Sequence, residues 1–287
     1  MRPEQQGIEM AVLVSVGRHP ITGRARRADQ DARGLELALG LESRLPGSRI
    51  GLLHAGPRSE ESESALRGYL GMAAGAGMAA GAGMAAGADR GLGSLTLLEQ
   101  PEGADAISAL ADHLAAAMPQ LVITGTRAER GEGSGWLPYA LAERLGWPLV
   151  NGLAAVEKVE NGVATLLQAL PRGQRRRLQV RLPAIVCVDA AAPAARQSAF
   201  GPARRAEIEA TPVAAELDHE LAGWQMAPAR KRPKRLKIIK AASARDRFKA
   251  AAAKAEGGSG QVLEGVSSEQ GAEAIFTLLR EEGVLRS

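Results

Sequence analysis

The sequence predicts an α/β fold: a parallel, doubly wound sheet with added antiparallel strands and an extended C-terminal arm. Three observations carry this. Short apolar runs alternate with helical patterns up to residue 150, and such alternation builds a parallel sheet with right-handed crossovers and helices on both faces. Asn161-Gly162 separates two strand-like runs, which is the signature of a tight hairpin. Beyond residue 206 the globular pattern fades into a basic, Ala/Lys-rich and glycine-broken stretch, so residues 1–206 read as one domain and 207–287 as an arm.

Residues 11–16 (AVLVSV) form a short apolar run suited to a strand buried on both faces. Residues 32–45 read as a helix, with Leu35, Ala38, Leu39 and Leu45 near one face. Residues 49–55 (RIGLLHA) are a second strand, closed by Gly56-Pro57. The next helix starts near Ser59, whose hydroxyl can cap it while Glu60 and Glu61 favour its positive end. Residues 94–98 (SLTLL) are a third strand, and Ile107, Leu110, Ala111, Leu114 and Met118 then recur at helical spacing. The fourth strand is 121–125 (LVITG). Ligands bind at the carboxyl ends of such strands, which places Val16, Ala55 and Gly125 at the rim of a pocket.

The second half changes character. Residues 156–160 and 163–170 flank the Asn-Gly turn, and 178–182 and 184–189 are further strands whose pairing Pro183 limits. In the tail, a basic run at 230–240 (RKRPKRLKIIK) leads to an Ala/Lys helical stretch that ends at a flexible GGSG, 257–260. Ser268 opens a last helix with Ala272, Ile275, Phe276 and Leu279 on one face. Such a helix has little of its own to pack against, so it should dock onto something. Residues 71–88 repeat GMAAGA three times, which reads as an expanded surface connection between a helix and a strand.

Composition narrows the function classes. Apolar residues make up 45% of the chain and aromatic ones 3%, so the core must be built from Ala, Val, Leu and Ile. Cys187 is the only cysteine, which excludes an internal disulfide and a multi-cysteine zinc site and fits a reducing compartment. Inside its apolar strand Cys187 reads as core rather than nucleophile. No run approaches the ~20 apolar residues of a membrane span, and the opening stretch does not resemble a secretory leader; a cytoplasmic location is expected. His19, His54, His113 and His219 are scattered, so no metal site is expected. No nucleophilic triad, Walker loop or acid–base pair stands out, and turnover by this chain alone is not expected. The run at 230–240 lacks the aromatics of a single-strand nucleic-acid binder. It reads as a solvated linker touching an acidic partner.

The most informative stretch is 121–150. A strand ending at Gly125 is followed by a loop containing Thr126, Arg127, Gly131, Glu132, Gly133, Ser134 and Gly135, and a helix opens near Trp136. Glycines there let backbone approach a ligand, and amides at a helix start hold anions. By mechanism this is a phosphate- or nucleotide-binding loop. It reads equally as a plain strand–helix turn.

The same stretch resembles the β subunit of electron-transfer flavoproteins. Gly131, Glu132, Pro138, Leu141-Ala142-Glu143 and Leu145-Gly146-Trp147-Pro148 match that family in place, as do Val12-Leu13-Val14-Ser15-Val16, Gly87-Ala88-Asp89-Arg90 and Leu182-Pro183-Ala184-Ile185-Val186 leading to Asp189. The resemblance covers roughly 10–206. It implies an adenine-nucleotide-binding domain, akin in fold to universal stress proteins, that holds AMP as a structural nucleotide beside a partner α subunit carrying most of a shared FAD. Ser15, Ala55 and the loop Gly125, Thr126, Arg127, Gly131, Glu132, Gly133, Ser134, Gly135 and Trp136 would line the AMP site, with Thr126, Ser134 and loop amides on phosphate and Arg127 adding charge.

The resemblance also implies a recognition loop after Asp189, with Arg196 in it and Phe200 as the apolar side chain that enters a partner dehydrogenase, as buried aromatic anchors do. The partners implied are the α subunit, an acyl-CoA- or methylamine-type flavin dehydrogenase and a quinone oxidoreductase. The arm at 207–287 would wrap the α subunit and end in a docking helix. The chain departs from the family at Ala28-Asp29-Gln30, at Thr126-Arg127 and at 190–195 (AAAPAA), which leaves open a second flavin in place of AMP. A stand-alone adenine-nucleotide-binding regulator resembling universal stress proteins is the alternative reading.

Overall fold

The computed structural model describes residues 7–73, 94–129 and 133–217, isolated positions between 219 and 245, and 262–281. The chain divides into two compact units, Met1–Gln225 and Met226–Ser287. In chain order the first unit holds β1 (Glu9–Leu13), β2 (Val16–Arg18), β3 (Ala25–Arg27), α1 (Asp29–Glu42), β4 (Arg49–Gly56), α2 (Glu60–Ala73), β5 (Ser94–Glu99), α3 (Ala106–Ala117) and β6 (Leu121–Gly125). Then follow α4 (Leu137–Leu145), β7 (Leu149–Glu160), β8 (Val163–Ala169), β9 (Arg175–Arg181), β10 (Ala184–Val188), α5 (Phe200–Arg205) and β11 (Glu207–Pro212). In the second unit α6 spans Ser268–Glu281.

Among the described residues nine strands form one sheet in the order β11-β5-β4-β1-β6-β10-β7-β8-β9. It is parallel from β11 to β7, and β8 and β9 extend it antiparallel. The expected α/β class, with antiparallel strands added to a parallel sheet, is what forms. Alternation along the strands divides the core between two faces. Val12, Leu52, Leu97, Ile123 and Val186 pack on one side with α1 and α2. Leu13, Leu53, Leu98, Val122 and Ile185 pack on the other with α3 and α4.

Local chemistry sets the boundaries. The Ser59 hydroxyl accepts the Ser62 N–H at 3.1 Å and caps α2, as its position predicts. Asp105 caps α3 by accepting the Ile107 N–H at 2.9 Å, and Met118 closes that helix in the left-handed conformation, exposed instead of continuing the apolar face. Asn161 and Gly162 both take positive φ, 51° and 72°, as the predicted tight hairpin turn requires.

Four expectations needed correction. The first strand stops at Leu13, because the Ser15 N–H is taken by the Asp31 carboxylate instead of a neighbouring strand. Val16–Arg18 pairs antiparallel with Ala25–Arg27 in a separate two-stranded hairpin. The first helix begins at Asp29, not residue 32, where Ala28 is still extended, and Leu45 is buried just beyond its end. The start of the repeat is not surface connection: Gly71 and Met72 belong to α2, and Met72 is buried in the core. The remainder of the repeat lies outside the described residues.

β9 and β10 follow one another across a cis Leu182-Pro183 bond without pairing. β9 stays beside β8 at the edge, while β10 enters between β6 and β7. The sheet also continues past residue 206, since Glu207–Pro212 pairs with β5. On α6, Ile275 and Phe276 are exposed. No helix among the described residues is long and apolar enough to cross a membrane.

Leu35 ties α1 to the sheet and is wholly buried. Replacing it with alanine should cost about 2–5 kcal/mol, read as a lower midpoint in urea denaturation. A midpoint unchanged from the parent would mean that α1 does not close this face of the core.

Candidate functional site at the sheet switch point

From β1 the chain winds outward through β4 and β5, then returns to place β6 on the other side of β1. The segments leaving β1 and β6 therefore part, and this is where ligands collect in open parallel sheets. The crevice floor is built around Asp31, in the first turn of α1. This carboxylate is buried and accepts the Ser15 N–H at 2.8 Å, the Ser15 hydroxyl at 2.5 Å and the Gly125 N–H at 3.1 Å. A Cβ on Gly125 would lie 2.3 Å from Asp31 Oδ1, so close approach demands glycine here. Burial pushes the Asp31 carboxyl up from 3.8 to about 6, against the pull of its hydrogen bonds to Ser15 and Gly125.

Neighbouring groups extend the knot. The Tyr69 hydroxyl on α2 donates to the Ser15 carbonyl at 2.8 Å and accepts the Ala28 N–H at 2.6 Å. Gln30 Oε1 accepts both the N–H and the hydroxyl of Thr126. Glu129 then binds the loop after β6 to the β2–β3 hairpin and the start of α1. It accepts the Arg18 N–H at 3.1 Å, the Asp29 N–H at 2.9 Å and the Arg26 guanidinium at 3.0 Å. Gly17 makes room for it, since a Cβ there would sit 2.6 Å from the Glu129 carboxylate.

Above this floor lies a cleft of about 510 Å³ lined by Ala28, Gln30, Arg127, Ala128, Glu129 and Gly133. That is within the ~300–1,000 Å³ range of small-molecule sites. Arg127 is exposed, with no carboxylate partner among the described residues. Gly135 has φ +84°, and a Cβ on it would meet the Thr126 carbonyl at 2.6 Å. The Trp136 N–H donates to Ser134 Oγ at 3.0 Å. A guanidinium with no acidic partner among the described residues, beside a side-chain-free backbone turn at the start of a helix, fits a phosphate-bearing ligand.

The sequence-predicted residues fall in different parts of the structure. Arg127 and Gly133 line the cleft. Ser15, Gly125 and Thr126 lie behind it, with their polar groups engaged by Asp31 and Gln30. Ser134 and Gly135 form the turn into α4, while Ala55 packs into the apolar cluster under α3 and α4. The Trp136 ring faces outward, stacked on Tyr139 at 6.4 Å between centroids. Gly131 and Glu132 fall outside the described residues. Val16 sits on the hairpin rather than at the end of β1.

Sequence reasoning missed Gln30, Asp31, Tyr69, Ala128 and Glu129. The available signal was position: an acid and an amide in the first turn of the helix after β1 must sit at the carboxyl edge of the sheet. Elsewhere, buried His54 shares a 2.7 Å contact with the Val14 carbonyl, and burial lowers its pKa. Cys187 is buried in β10, and burial raises its thiol to about 12, which leaves it inert. Among the described residues no cluster of three or more His, Cys, Asp or Glu could hold a metal.

The loop after β10 is clamped to α1. Arg196 forms a two-pronged pair with Glu36 at 2.7 and 2.8 Å, and Arg33 donates to the Ala192 carbonyl at 2.6 Å. Arg196 is thus an anchor within the chain. Ser198 and Ala199 pack against Gly71 of α2, and the Ala199 N–H donates to the Gly71 carbonyl. Phe200, the first residue of α5, follows this clamp and is 79% exposed.

Two measurements probe the floor. The raised Asp31 pKa means that the native state prefers the protonated acid, so this residue's contribution is fullest below about pH 4 and is lost as pH rises through about 6. The stability of Asp31→Asn relative to the parent should therefore climb by roughly 3 kcal/mol between pH 3.5 and 7. Parallel pH–stability curves would refute the assignment. Glu129→Ala should release the hairpin, so that trypsin cuts after Arg24 and Arg26 several-fold faster while far-ultraviolet circular dichroism is unchanged; unaltered cleavage would show that Glu129 does not hold it.

Comparison with known proteins places this geometry. The family model described as "Electron transfer flavoprotein domain" matches residues 18–216. The chain is also 64% identical over 289 residues to a Chromohalobacter salexigens protein named "Electron transfer flavoprotein subunit beta", and the match covers all of both chains. The chain belongs to the electron transfer flavoprotein family.

Proposed function

We propose that the chain is the β subunit of a heterodimeric electron transfer flavoprotein, an electron carrier rather than an enzyme in its own right. It holds AMP as a structural nucleotide and works with an FAD-bearing α subunit. Together they pass electrons from a flavin dehydrogenase of the acyl-CoA or methylamine type towards a quinone oxidoreductase and the respiratory chain. The observation that carries this reading is the end-to-end match to a protein named as that subunit.

The geometry supports the same assignment. The cleft at the switch point has nucleotide size, and Arg127 and the amides around Gly133, Ser134 and Gly135 are suited to hold a phosphate. Shared FAD supplies the redox chemistry when bound. This chain's residues would orient the nucleotide, keep the loop after β6 rigid through Gln30 and Glu129, and present the outer surfaces to partners. Phe200, exposed next to a clamped loop, suits an apolar anchor entering a dehydrogenase. The stand-alone regulatory reading has no observation of its own in its favour.

Co-expression with an α subunit tests the proposal. A stable yellow heterodimer that releases one AMP on denaturation is expected. Two proteins that purify separately, or a complex without adenine nucleotide, would sink the corresponding half of the assignment.

A further inference from the structure

The cleft at the switch point is backed by a carboxyl group that no cation among the described residues offsets. Gln30 lines the cleft, and Asp31 follows it in the first turn of α1. A Cβ on Gly125 would lie 2.3 Å from Asp31 Oδ1 and 3.2 Å from Gln30 Cβ, so the buried carboxyl sits directly behind the cleft floor. The groups bonded to it are neutral donors: the Ser15 N–H, the Ser15 hydroxyl and the Gly125 N–H. Glu129, a second acid, lines the cleft itself, and its charge also acts on Asp31.

The other titratable groups around this carboxyl leave it alone near neutral pH. Tyr69 on α2 keeps its proton, since burial and the Asp31 charge raise its hydroxyl well above the usual range. His54 on β4 is buried against the Val14 carbonyl, and burial lowers its pKa. On β3, Arg26 is held by Glu129, and Arg27 acts on Tyr69. On α1 itself, Asp29 gives its N–H to Glu129, while Arg33 is turned to the loop after β10. Arg127 stands across the cleft. Burial has lifted the Asp31 carboxyl to about 6, where a modest change of surroundings alters its charge.

Protonation does not unfasten the floor. The neutral acid still accepts the Ser15 and Gly125 N–H groups, and at Ser15 the hydroxyl bond reverses, the acid donating to Ser15 Oγ. What changes is the charge behind the cleft. A phosphate brought beside Arg127 and Gly133 adds negative charge near Asp31 and so favours its neutral form. We propose that Asp31 positions the start of the phosphate-binding loop through Gly125 and takes up a proton when a nucleoside phosphate enters the cleft. This rests on the nucleotide reading above. By linkage, the ligand raises the carboxyl from its ligand-free value of about 6. Affinity is therefore fullest below that value and is lost as pH rises through the higher, ligand-bound one.

Calorimetric binding of AMP to the full-length chain, parent against Asp31→Asn, tests this from about pH 5.5 to 8.5. The phosphate of AMP itself titrates near pH 6, so the parent's Kd is read relative to the variant's at each pH. That ratio should rise about fivefold across the range. At pH 7, in buffers of different ionisation enthalpy, the parent should take up roughly 0.4 proton more per AMP bound than the variant. Ser15→Ala removes a bond that holds the Asp31 carboxyl down, and should move the fall in affinity to higher pH. A constant Kd ratio with equal proton counts overturns the linkage while the nucleotide reading stands. If Asp31→Asn does not fold, superposed pH profiles for the parent and Ser15→Ala overturn it instead. A parent that binds no AMP at any pH overturns the nucleotide reading and this inference with it.

Discussion

Everything at the carboxyl edge of this sheet is organised around one buried carboxylate. Asp31 receives N–H groups from the ends of β1 and β6 and the hydroxyl of Ser15, so the first turn of α1 is bonded to both strands that flank the switch point. A carboxylate removed from water is costly unless its lone pairs are met. Here three donors meet them, and the site has no room for a Cβ at Gly125. The shift of this acid towards neutrality measures the competition between burial and those donors.

Because that floor is pinned, the layer above it can be short and still precise in position. Gln30 and Glu129 face each other from α1 and the loop after β6, and each is occupied by backbone N–H groups of the opposite segment. The small β2–β3 hairpin is held as an appendage of this layer, through Glu129 and the Arg26 guanidinium. The cleft is therefore bordered by groups that are already satisfied, with Arg127 as the exception. Among the described residues a ligand there meets the Arg127 guanidinium and a glycine-lined turn.

The outer surfaces follow a similar logic of fixed bases and free tips. Arg33 and Glu36 on α1 immobilise the loop after β10, and the first side chain beyond it, Phe200, stands in solvent. At the far edge, Gln168 immobilises Arg176, while Arg172 and Arg175 make no ion pair among the described residues. Rigid support under an exposed aromatic or arginine lowers the entropy cost of using it in an interface.

Much of the fold was legible in the residues. Apolar runs separated by helical patterns specify a parallel sheet because strands buried on both faces have little choice of environment. The Asn161-Gly162 turn and the Ser59 cap are local, so local sequence was enough to find them. Family membership was legible in the motifs around Pro138 and Trp147. What sequence alone could not reveal is which polar groups meet. Asp31 lies 94 residues from Gly125, and Glu129 lies 103 from Arg26; those pairings follow from strand order, with β6 returning to the side of β1. The same holds for the surroundings of Ala55, which packs into the apolar cluster under α3 and α4, and of the Trp136 ring, which stacks on Tyr139. By itself the sequence determined the layers, the turn and the kinship, because these depend on residue type and near neighbours. Only the tertiary structure decided the cleft floor and the anchored loop, because each joins segments that only the folded sheet brings within hydrogen-bond range.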